Sequence, residues 1–261
     1  MPRANRYSVP GYVWHITHRC HKQEFLLKFA KDRRTWVHWL FEARKRFGLC
    51  VLNYIVTSNH THLLVKDSGR GEIPKSIQLV DGRTAQQYNQ RKKRKGAFWN
   101  DRYHATAVAT DEHLMRCLVY IDLNMVRAGV VKHPCDWAES GYGEIQGPRK
   151  RYAVIDTSAL LTLLNCRDLP HLQTEHAHQV KSVLASDRNR RDACFSESLA
   201  VGNREFVEEV RRKLGAKARA RSVVEEEDTT ALREPRPSYG PHFGREKAIL
   251  SPGNNPYTGK Y

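Results

Sequence analysis

Two short apolar segments joined by a polar turn constrain the fold of this chain more than any other feature. Residues 49–56 and 60–65 are rich in β-branched residues and leucine, and Thr57-Ser58-Asn59 between them has the composition of a tight turn. The pattern predicts two strands paired as an antiparallel hairpin. A lone hairpin is marginally stable, so neighbouring segments must supply more strands and covering helices.

The flanking segments supply those elements. Residues 12–20 alternate and are rich in aromatic and β-branched types, which predicts another strand, and residues 97–109 have an extended pattern. Apolar spacing predicts helices over residues 32–47, 73–94 and 111–126, with Asp32 and Asp111 as N-caps. This order indicates an α+β sandwich, an antiparallel sheet with helices on one face.

The pattern weakens beyond about residue 149. Short helical segments are predicted at residues 156–164 and 204–214, and the chain from residue 234 onward is rich in proline and glycine. The sequence therefore predicts a folded domain over residues 1–148, a basic helical extension over residues 149–222, and an extended or disordered tail over residues 223–261.

The charge of the chain favours a polyanionic partner. Lysine and arginine total 44 against 28 aspartate and glutamate residues, a formal net charge of +16. Neutralising backbone phosphates is the usual physical reason for such a surplus, which makes nucleic acid the favoured partner over a merely soluble basic surface.

Residues 83–95 concentrate that positive charge, and aromatic residues follow them directly in the sequence. Stacking bases and neutralising phosphates together suit a single strand, although a solvated helix end has the same composition. Trp99 and Tyr103 are the neighbouring aromatic residues, and the basic candidates for DNA binding are Arg83, Arg91, Lys92, Lys93, Arg94, Lys95 and Arg102.

Other classes of protein are disfavoured. No run of eighteen apolar residues predicts a membrane span, and residues 1–11 lack the apolar stretch of a secretory signal. Six scattered cysteines without a Cys-x-x-Cys pair argue against a disulfide framework or a tetracysteine zinc site. We therefore expect a cytoplasmic, nucleoid-associated protein with no membrane partner.

His60-Thr61-His62 is the first chemical motif. Residues i and i+2 of a strand point to the same face, so both imidazoles can reach one metal ion. Taken alone, the motif is also compatible with two ordinary half-buried histidines.

Tyr120 is the second motif, on the helix predicted over residues 111–126. Asn124 follows one turn later on the same face, and Arg116 and Arg127, which lie near that stripe, are further candidates for DNA binding. A hydroxyl, an amide and two guanidinium groups together suit phosphate chemistry. The alternative is a tyrosine that packs its ring in the core with its hydroxyl at the rim.

His15, His18, Cys20 and His21 are residue types that also bind metals. However, His15 and His18 are three residues apart on a predicted strand and point to opposite faces. The sequence therefore favours a core strand or a DNA-facing strand over a zinc site.

Taken together and in order, the motifs resemble the single-tyrosine HUH transposases, and most closely their REP-associated tyrosine transposase branch. The resemblance covers about residues 10–142 and extends less specifically to L-R-E-P at residues 232–235. It rests on P-G-Y-V-W-H-I-T-H-R at residues 10–19, S-N-H-T-H-L-L at 58–64, G-R-T-A-Q-Q-Y-N at 82–89, F-W-N-D-R-Y at 98–103 and Y-I-D-L-N-M-V-R-A-G at 120–129.

The resemblance implies a role for each matching residue. His60, His62 and Asn124 would bind Mg²⁺ or Mn²⁺, and Tyr120 would attack DNA to form a 5′-phosphotyrosine. It implies a ferredoxin-like antiparallel sheet and makes residues 1–148 the catalytic domain. Thr61 departs from the family, in which the middle position is usually hydrophobic, but a β-branched residue still suits a strand.

The implied substrate is single-stranded or hairpin DNA, cut and rejoined during transposition by a monomer or homodimer. Three alternatives stay open: a non-catalytic protein that binds DNA hairpins, an RNA-binding regulator derived from a transposase, and a rolling-circle or relaxase nuclease. A 2′-hydroxyl changes fit and contacts, so comparing deoxy and ribo substrates separates the RNA alternative.

Overall fold

The computed structural model describes residues 9–110, 112–186, 192–218, 220–226 and 229–233. Asp111, the predicted N-cap, and residues 234–261 of the predicted tail lie outside these ranges. The strands within them are β1 (Val13–Arg19), β2 (Cys50–Val56), β3 (His60–Lys66), β4 (His104–Val108), β5 (Ser198–Gly202), β6 (Ser222–Glu226) and β7 (Thr229–Arg233).

Most of the helical structure lies between the strands. Short 3₁₀ segments occur at His21–Gln23, Pro134–Asp136 and Gly215–Ala218. The α-helices within the described ranges are α1 (Ala30–Phe47), α2 (Glu72–Lys92), α3 (Glu112–Asp122), α4 (Asn124–Arg127), α5 (Tyr142–Gln146), α6 (Thr157–Leu163), α7 (Leu169–Ala185), α8 (Cys194–Glu197) and α9 (Arg204–Leu214). None of these helices is long and apolar enough to cross a membrane.

The elements predicted before residue 110 are present within a few residues of their predicted bounds, except that the extended pattern over residues 97–109 forms a strand only at β4. Helix α1 ends at Gly48, whose φ of 68° is the left-handed conformation that stops a helix. Its N-cap is Phe29, so the prediction of Asp32 as the N-cap is wrong: the helix begins at Ala30, and Asp32 lies in its first turn. The helix predicted over residues 111–126 is divided at Leu123 into α3 and α4.

The seven strands form one sheet in the order β2-β3-β1-β4-β5-β7-β6. Strand β1 is antiparallel to both β3 and β4, and its register places Thr17 opposite His62 and Arg19 opposite His60. Strands β4 and β5 run parallel, because a long helical connection returns the chain in the same direction. The α+β class is confirmed, but the sheet is mixed instead of wholly antiparallel.

Helices cover both faces of the sheet, so the prediction of helices on one face is wrong. On β2, Tyr54 packs against Trp36 of α1, while the neighbouring Asn53 donates a hydrogen bond to the Leu118 carbonyl of α3 at 3.3 Å. Strand β2 accordingly has buried residues along nearly its whole length, instead of an alternation of buried and exposed residues, because a strand covered on both faces must bury both sets of side chains.

The C-terminal part of the chain extends the same sheet. Strand β5 joins the sheet at β4, and the β6–β7 hairpin joins it at β5. The hairpin falls on residues 222–233, most of which the sequence had placed in the tail, and its strands are extended but fully paired with each other. The sheet therefore continues from the predicted domain into the predicted extension.

Candidate active site

The turn before β3 places His60 and His62 on one face of the sheet. The Thr57 hydroxyl accepts hydrogen bonds from the backbone amides of Asn59 at 3.3 Å and His60 at 3.1 Å, and the Thr57 amide donates to the His60 carbonyl at 2.9 Å. The two imidazole rings lie 4.9 Å apart, centroid to centroid, at 83°. His62 is buried and His60 is half-buried, so only His60 borders the solvent.

The tyrosine and the asparagine predicted on the following helix meet the same histidine. The Asn124 amide nitrogen lies 3.0 Å from His62 Nε2, and the Tyr120 ring lies edge-on to His62 with 5.9 Å between centroids. The helix division at Leu123 does not separate them, since the Leu123 amide still bonds to the Val119 carbonyl at 3.0 Å. The structure thus brings together His60, His62, Tyr120 and Asn124.

A buried histidine that the sequence interpretation left out stands behind the pair. His15 Nε2 lies 2.8 Å from His62 Nδ1, and His15 Nδ1 lies 2.7 Å from the Phe195 carbonyl oxygen. Thr17 Oγ1 also lies 3.2 Å from His62 Nδ1. The alternation of β1 already placed His15 and Thr17 on one face, which was the available signal, but the pairing with β3 was needed to bring them to His62.

This chain of contacts fixes which nitrogen carries each proton. A carbonyl can only accept, so His15 Nδ1 is the donor to Phe195, and Nε2 of a neutral His15 is then an acceptor. His62 Nδ1 therefore donates to His15, which leaves the lone pair of His62 on Nε2. On His60, Nδ1 donates to Asn59 Oδ1 at 2.7 Å, so its lone pair is also on Nε2 when the ring is neutral.

Burial keeps the inner histidines uncharged. It lowers the pKa of His15 to about 4, more than the hydrogen bond to the Phe195 carbonyl raises it. Burial also lowers the pKa of His62 well below its ordinary value, and the charges of His60, His15, Arg127 and Arg19 act in the same direction. A neutral imidazole is the form that can bind a cation.

Tyr120 is held by rings and by a guanidinium group. Phe195 lies 5.2 Å from it at 37°, and His15 lies edge-on at 5.9 Å. The guanidinium carbon of Arg127 is 4.4 Å from the centroid of the Tyr120 ring, and Arg127 Nη2 donates to the Tyr120 carbonyl. Only 7% of Tyr120 is exposed, so this ring is much more buried than a surface tyrosine.

A buried polar cluster anchors the helix that carries Tyr120. Asp122 accepts a hydrogen bond from Asn53 of β2 at 3.0 Å, and its other oxygen lies 2.7 Å from Nε2 of His176 on α7. The side chains of both members of the Asp122–His176 pair are completely buried. Because breaking such a pair is costly, the cluster fixes α3 against the sheet and against α7.

The two arginines predicted near the tyrosine have intramolecular partners. Arg127 contacts Tyr120, as described above. Arg116 Nη1 donates to Thr229 Oγ1 at 2.7 Å, and its Nη2 lies 3.9 Å from Asp192 Oδ2. Arg116 therefore ties α3 to β7, and a role for it in DNA binding stays a prediction.

The predicted basic residues of α2 and of the turn after it contact α1 and the segment between β1 and α1. Arg91 pairs with Asp32, and Arg94 lies 3.6 Å from Glu24. The guanidinium carbon of Arg83 is 5.5 Å from the ring centroid of Trp39. The side chains still lie at the surface. Of the residues predicted to bind DNA in this region, Arg94 is half-buried and the others are exposed, namely Arg83, Arg91, Lys92, Lys93, Lys95 and Arg102.

His18 points to the opposite face from His15, as the spacing predicted. His18 Nδ1 lies 2.7 Å from Asp81 Oδ2 and Nε2 lies 2.8 Å from the Asp101 carbonyl oxygen. Its ring stacks on Trp99 with 4.5 Å between centroids. A histidine bound in this way is part of the packing between β1, α2 and the segment before β4.

The donor set at the histidine pair fits a divalent cation. In the described part of the chain, no group of three or more His, Cys, Asp or Glu side chains is arranged to hold a metal ion. The predicted metal ligands are different, because they comprise only two histidines, and the third ligand is the side-chain amide of Asn124. Two imidazole nitrogens with lone pairs and one amide oxygen are suitable ligands for Mn²⁺, and with water for Mg²⁺.

One comparison with known proteins matches a family over part of the chain. Residues 8–124 match the family model described as "Transposase IS200 like". This segment contains β1 to β4, the histidine pair and Tyr120. Over these residues the chain is similar to the IS200-like transposase family.

Two solved structures are similar to the chain. A REP-associated tyrosine transposase bound to a REP hairpin is 19% identical, with a TM-score of 0.47, over 61% of this chain and 96% of the other. A candidate transposase from Deinococcus radiodurans R1 is 16% identical, with a TM-score of 0.31, over 40% of this chain and 83% of the other. A search of curated proteins found no matching sequence.

Proposed function

We propose that this transposase is a metal-dependent endonuclease and strand transferase of the HUH type that acts on single-stranded DNA. The observation that carries the proposal is the position of His62, which contacts His60, His15, Asn124 and Tyr120 at once. A hydroxyl nucleophile on the ring next to neutral imidazoles that can bind a cation is one arrangement that supports cleavage of phosphodiesters.

Tyr120 is the proposed nucleophile. Its hydroxyl oxygen forms a bond to the scissile phosphorus and loses its proton, while the bond from phosphorus to the 3′-oxygen breaks and that oxygen takes up a proton. The products are a 5′-phosphotyrosine and a free 3′-hydroxyl. The reverse reaction with the same or another 3′-hydroxyl rejoins DNA without ATP, because the phosphotyrosine conserves the energy of the phosphodiester.

His60, His62 and Asn124 are the proposed ligands of Mg²⁺ or Mn²⁺. When bound, the ion supplies Lewis-acid polarisation of the scissile phosphate. The protein contributes the orientation of the ligands: the contact with His15 keeps the lone pair of His62 on Nε2. The Asn124 amide must turn its oxygen toward the ion, because its nitrogen now faces His62.

The proposed substrate is a hairpin with a single-stranded flank, of the REP type, and the motifs quoted above are the ground for this proposal. The predicted DNA-binding residues, among them Arg102 and the basic end of α2, would neutralise its phosphates. Because all four proposed site residues come from one chain, a monomer is sufficient for cleavage, although a homodimer is compatible with it.

The test is covalent capture. Wild type, Tyr120→Phe and the control Tyr88→Phe are incubated with end-labelled hairpin oligonucleotides and Mn²⁺, and adducts are separated on a denaturing gel. We expect the adduct with wild type and Tyr88→Phe and none with Tyr120→Phe, which loses only a hydroxyl.

Other outcomes identify the alternatives. An adduct with Tyr120→Phe would identify another nucleophile. Binding without any adduct from the wild type, at every metal tested, would favour a regulator that binds hairpins without cutting. Preference for the ribo form of the same oligonucleotide would favour the RNA-binding alternative.

A further inference from the structure

Two phenylalanines are exposed on the segment between β1 and α1. Phe25 is 66% exposed and Phe29 is 55% exposed, whereas Leu26 and Leu27 between them are buried. The leucines anchor this segment in the core, so the phenylalanine rings are presented to solvent by a fixed backbone. We call Phe25 and Phe29 the aromatic platform.

Backbone contacts connect the platform to the turn that carries His60. The Leu27 amide donates to the Ser58 carbonyl at 2.9 Å, and the Asn59 side chain donates to the Gln23 carbonyl at 3.4 Å. The turn at Ser58 and Asn59 leads directly into His60, the solvent-facing histidine of the pair. A DNA strand that enters at His60 therefore passes close to the platform.

The surroundings of the platform are basic. The ammonium nitrogen of Lys92 lies 5.1 Å from the centroid of the Phe29 ring. Glu24 on the same segment lies 3.6 Å from Arg94 and is thereby neutralised. The remaining exposed charges on the segment and at the nearby end of α2 are positive, namely Lys22, Lys28, Lys31 and Lys93.

We propose that the aromatic platform stacks unpaired bases of the DNA strand that reaches His60. Aromatic rings interleaved with cations are how proteins hold single strands, since every base has a π-face and every phosphate a charge. A duplex offers no free base faces, so the platform selects the single-stranded flank of a substrate. This inference rests on the proposed function, because it places that flank at the proposed cleavage site.

The test measures binding apart from cleavage. In a Tyr120→Phe background, Phe25→Ala, Phe29→Ala and the double variant are titrated with a fluorescent single-stranded oligonucleotide. Each single change should weaken binding about five-fold or more, and the double change should weaken it further. Phe29→Trp should restore binding. Thermal melts of each variant verify the fold.

Tyr152→Ala is the matched control. Tyr152 is an aromatic residue with 71% exposure, and it packs against Phe41, roughly 18 Å further along α1 at 1.5 Å per residue. Its removal should not change DNA affinity. An equal loss from Tyr152→Ala would overturn the assignment of the platform.

An abasic oligonucleotide of equal length separates stacking from charge. Wild-type affinity should fall on the abasic strand, and Phe25→Ala with Phe29→Ala should then have no further effect. The salt dependence should stay unchanged in the phenylalanine variants and become flatter in Lys92→Glu, because only the lysine removes a phosphate contact.

Two results would overturn the proposal: affinity unchanged in the double variant, or a change of oligomeric state in sedimentation in place of a change in DNA affinity. The first would show that the rings do not contact bases, and the second that they contact a second copy of the chain. A different result would count against the proposed function alone. In that case the wild type forms no covalent adduct but still binds the normal oligonucleotide more tightly than the abasic one.

Discussion

Strand β1 carries two histidines three residues apart, and the two faces of the sheet use them differently. His15 has one acceptor, the Phe195 carbonyl, and one histidine partner, so its contacts are satisfied by a neutral ring. His18 lies between the Asp81 carboxylate and the Asp101 carbonyl, which both accept hydrogen bonds. The first face, with His15, orients the imidazole of His62. The second face, with His18, holds β1 against α2 and the segment before β4.

The difference follows from which side chains each face brings to β1. The His15 side supplies the imidazole of His62, an aromatic ring and a carbonyl, and within the described residues none of these partners is a carboxylate. The His18 side supplies a carboxylate and an indole ring that stacks on the imidazole. The two histidines therefore differ in their partners: neutral groups contact His15, and a carboxylate contacts His18.

The largest expected effect is on the chemistry of the first face. His62→Ala removes a proposed ligand and should reduce metal-dependent cleavage about 100-fold or more. His178→Ala changes an exposed histidine of α7 and is the control. Single-turnover cleavage of a labelled oligonucleotide measures both. Cleavage by His62→Ala at the rate of His178→Ala would show that His62 has no such role.

The second face should respond in stability instead. His18→Leu leaves the carboxylate of Asp81 buried without its imidazole partner, which should cost about 3 kcal/mol of the free energy of unfolding. The double variant with Asp81→Leu should recover part of that loss. Urea denaturation measures the stability, and Mn²⁺ titration of the folded variant should give the wild-type affinity. A weaker Mn²⁺ affinity would mean that the two faces are coupled.

His15 tests how the first face orients its ligand. His15→Gln keeps an acceptor for His62 and a donor for the Phe195 carbonyl, whereas His15→Phe keeps neither. Mn²⁺ affinity should fall about 10- to 100-fold in His15→Phe and much less in His15→Gln. Calorimetric titration of both folded proteins measures the difference. Equal affinities in the two variants would contradict an orienting role.

The smallest effect is the pH dependence of stability on the first face. Burial lowers the pKa of His15 from 6.5 to about 4, so below pH 6.5 the unfolded chain binds a proton that the folded chain refuses. Stability is therefore lost as pH falls from 6.5 toward 4, by about 2 kcal/mol at pH 5. Urea midpoints are measured at pH 7 and pH 5 with chelator present, and the midpoint should change less between the two pH values in His15→Gln than in wild type. An equal change in both proteins would show that other groups cause the loss of stability.

The sequence predicted the elements whose pattern is local. Strands β1 to β3 and helices α1 and α2 have long, regular spacing, and the turn and stop residues mark their ends. Strands β5 to β7 were missed because each is five residues long and is stabilised by partners far away along the chain. The parallel pairing of β4 with β5 has no local signal at all.

The candidate site divides in the same way. The spacing of His60 with His62, and of Tyr120 with Asn124, predicted which side chains share a face, and His62 meets the other three. The contributions of His15 and Phe195 depend on strand register and on a carbonyl that lies far away in sequence. Spacing within one element cannot reveal contacts of that kind.

The Phe195 carbonyl also sets an order of events during protein synthesis. A ribosome releases the histidines and Tyr120 long before residue 195, so the emerging chain has every reactive group while the acceptor for His15 is still missing. His15 can then take either tautomer, and the lone pair of His62 is no longer confined to Nε2. The hydrogen-bond chain is completed only after α8 has emerged, so the nascent chain cannot acquire the full site before most of the protein has been translated.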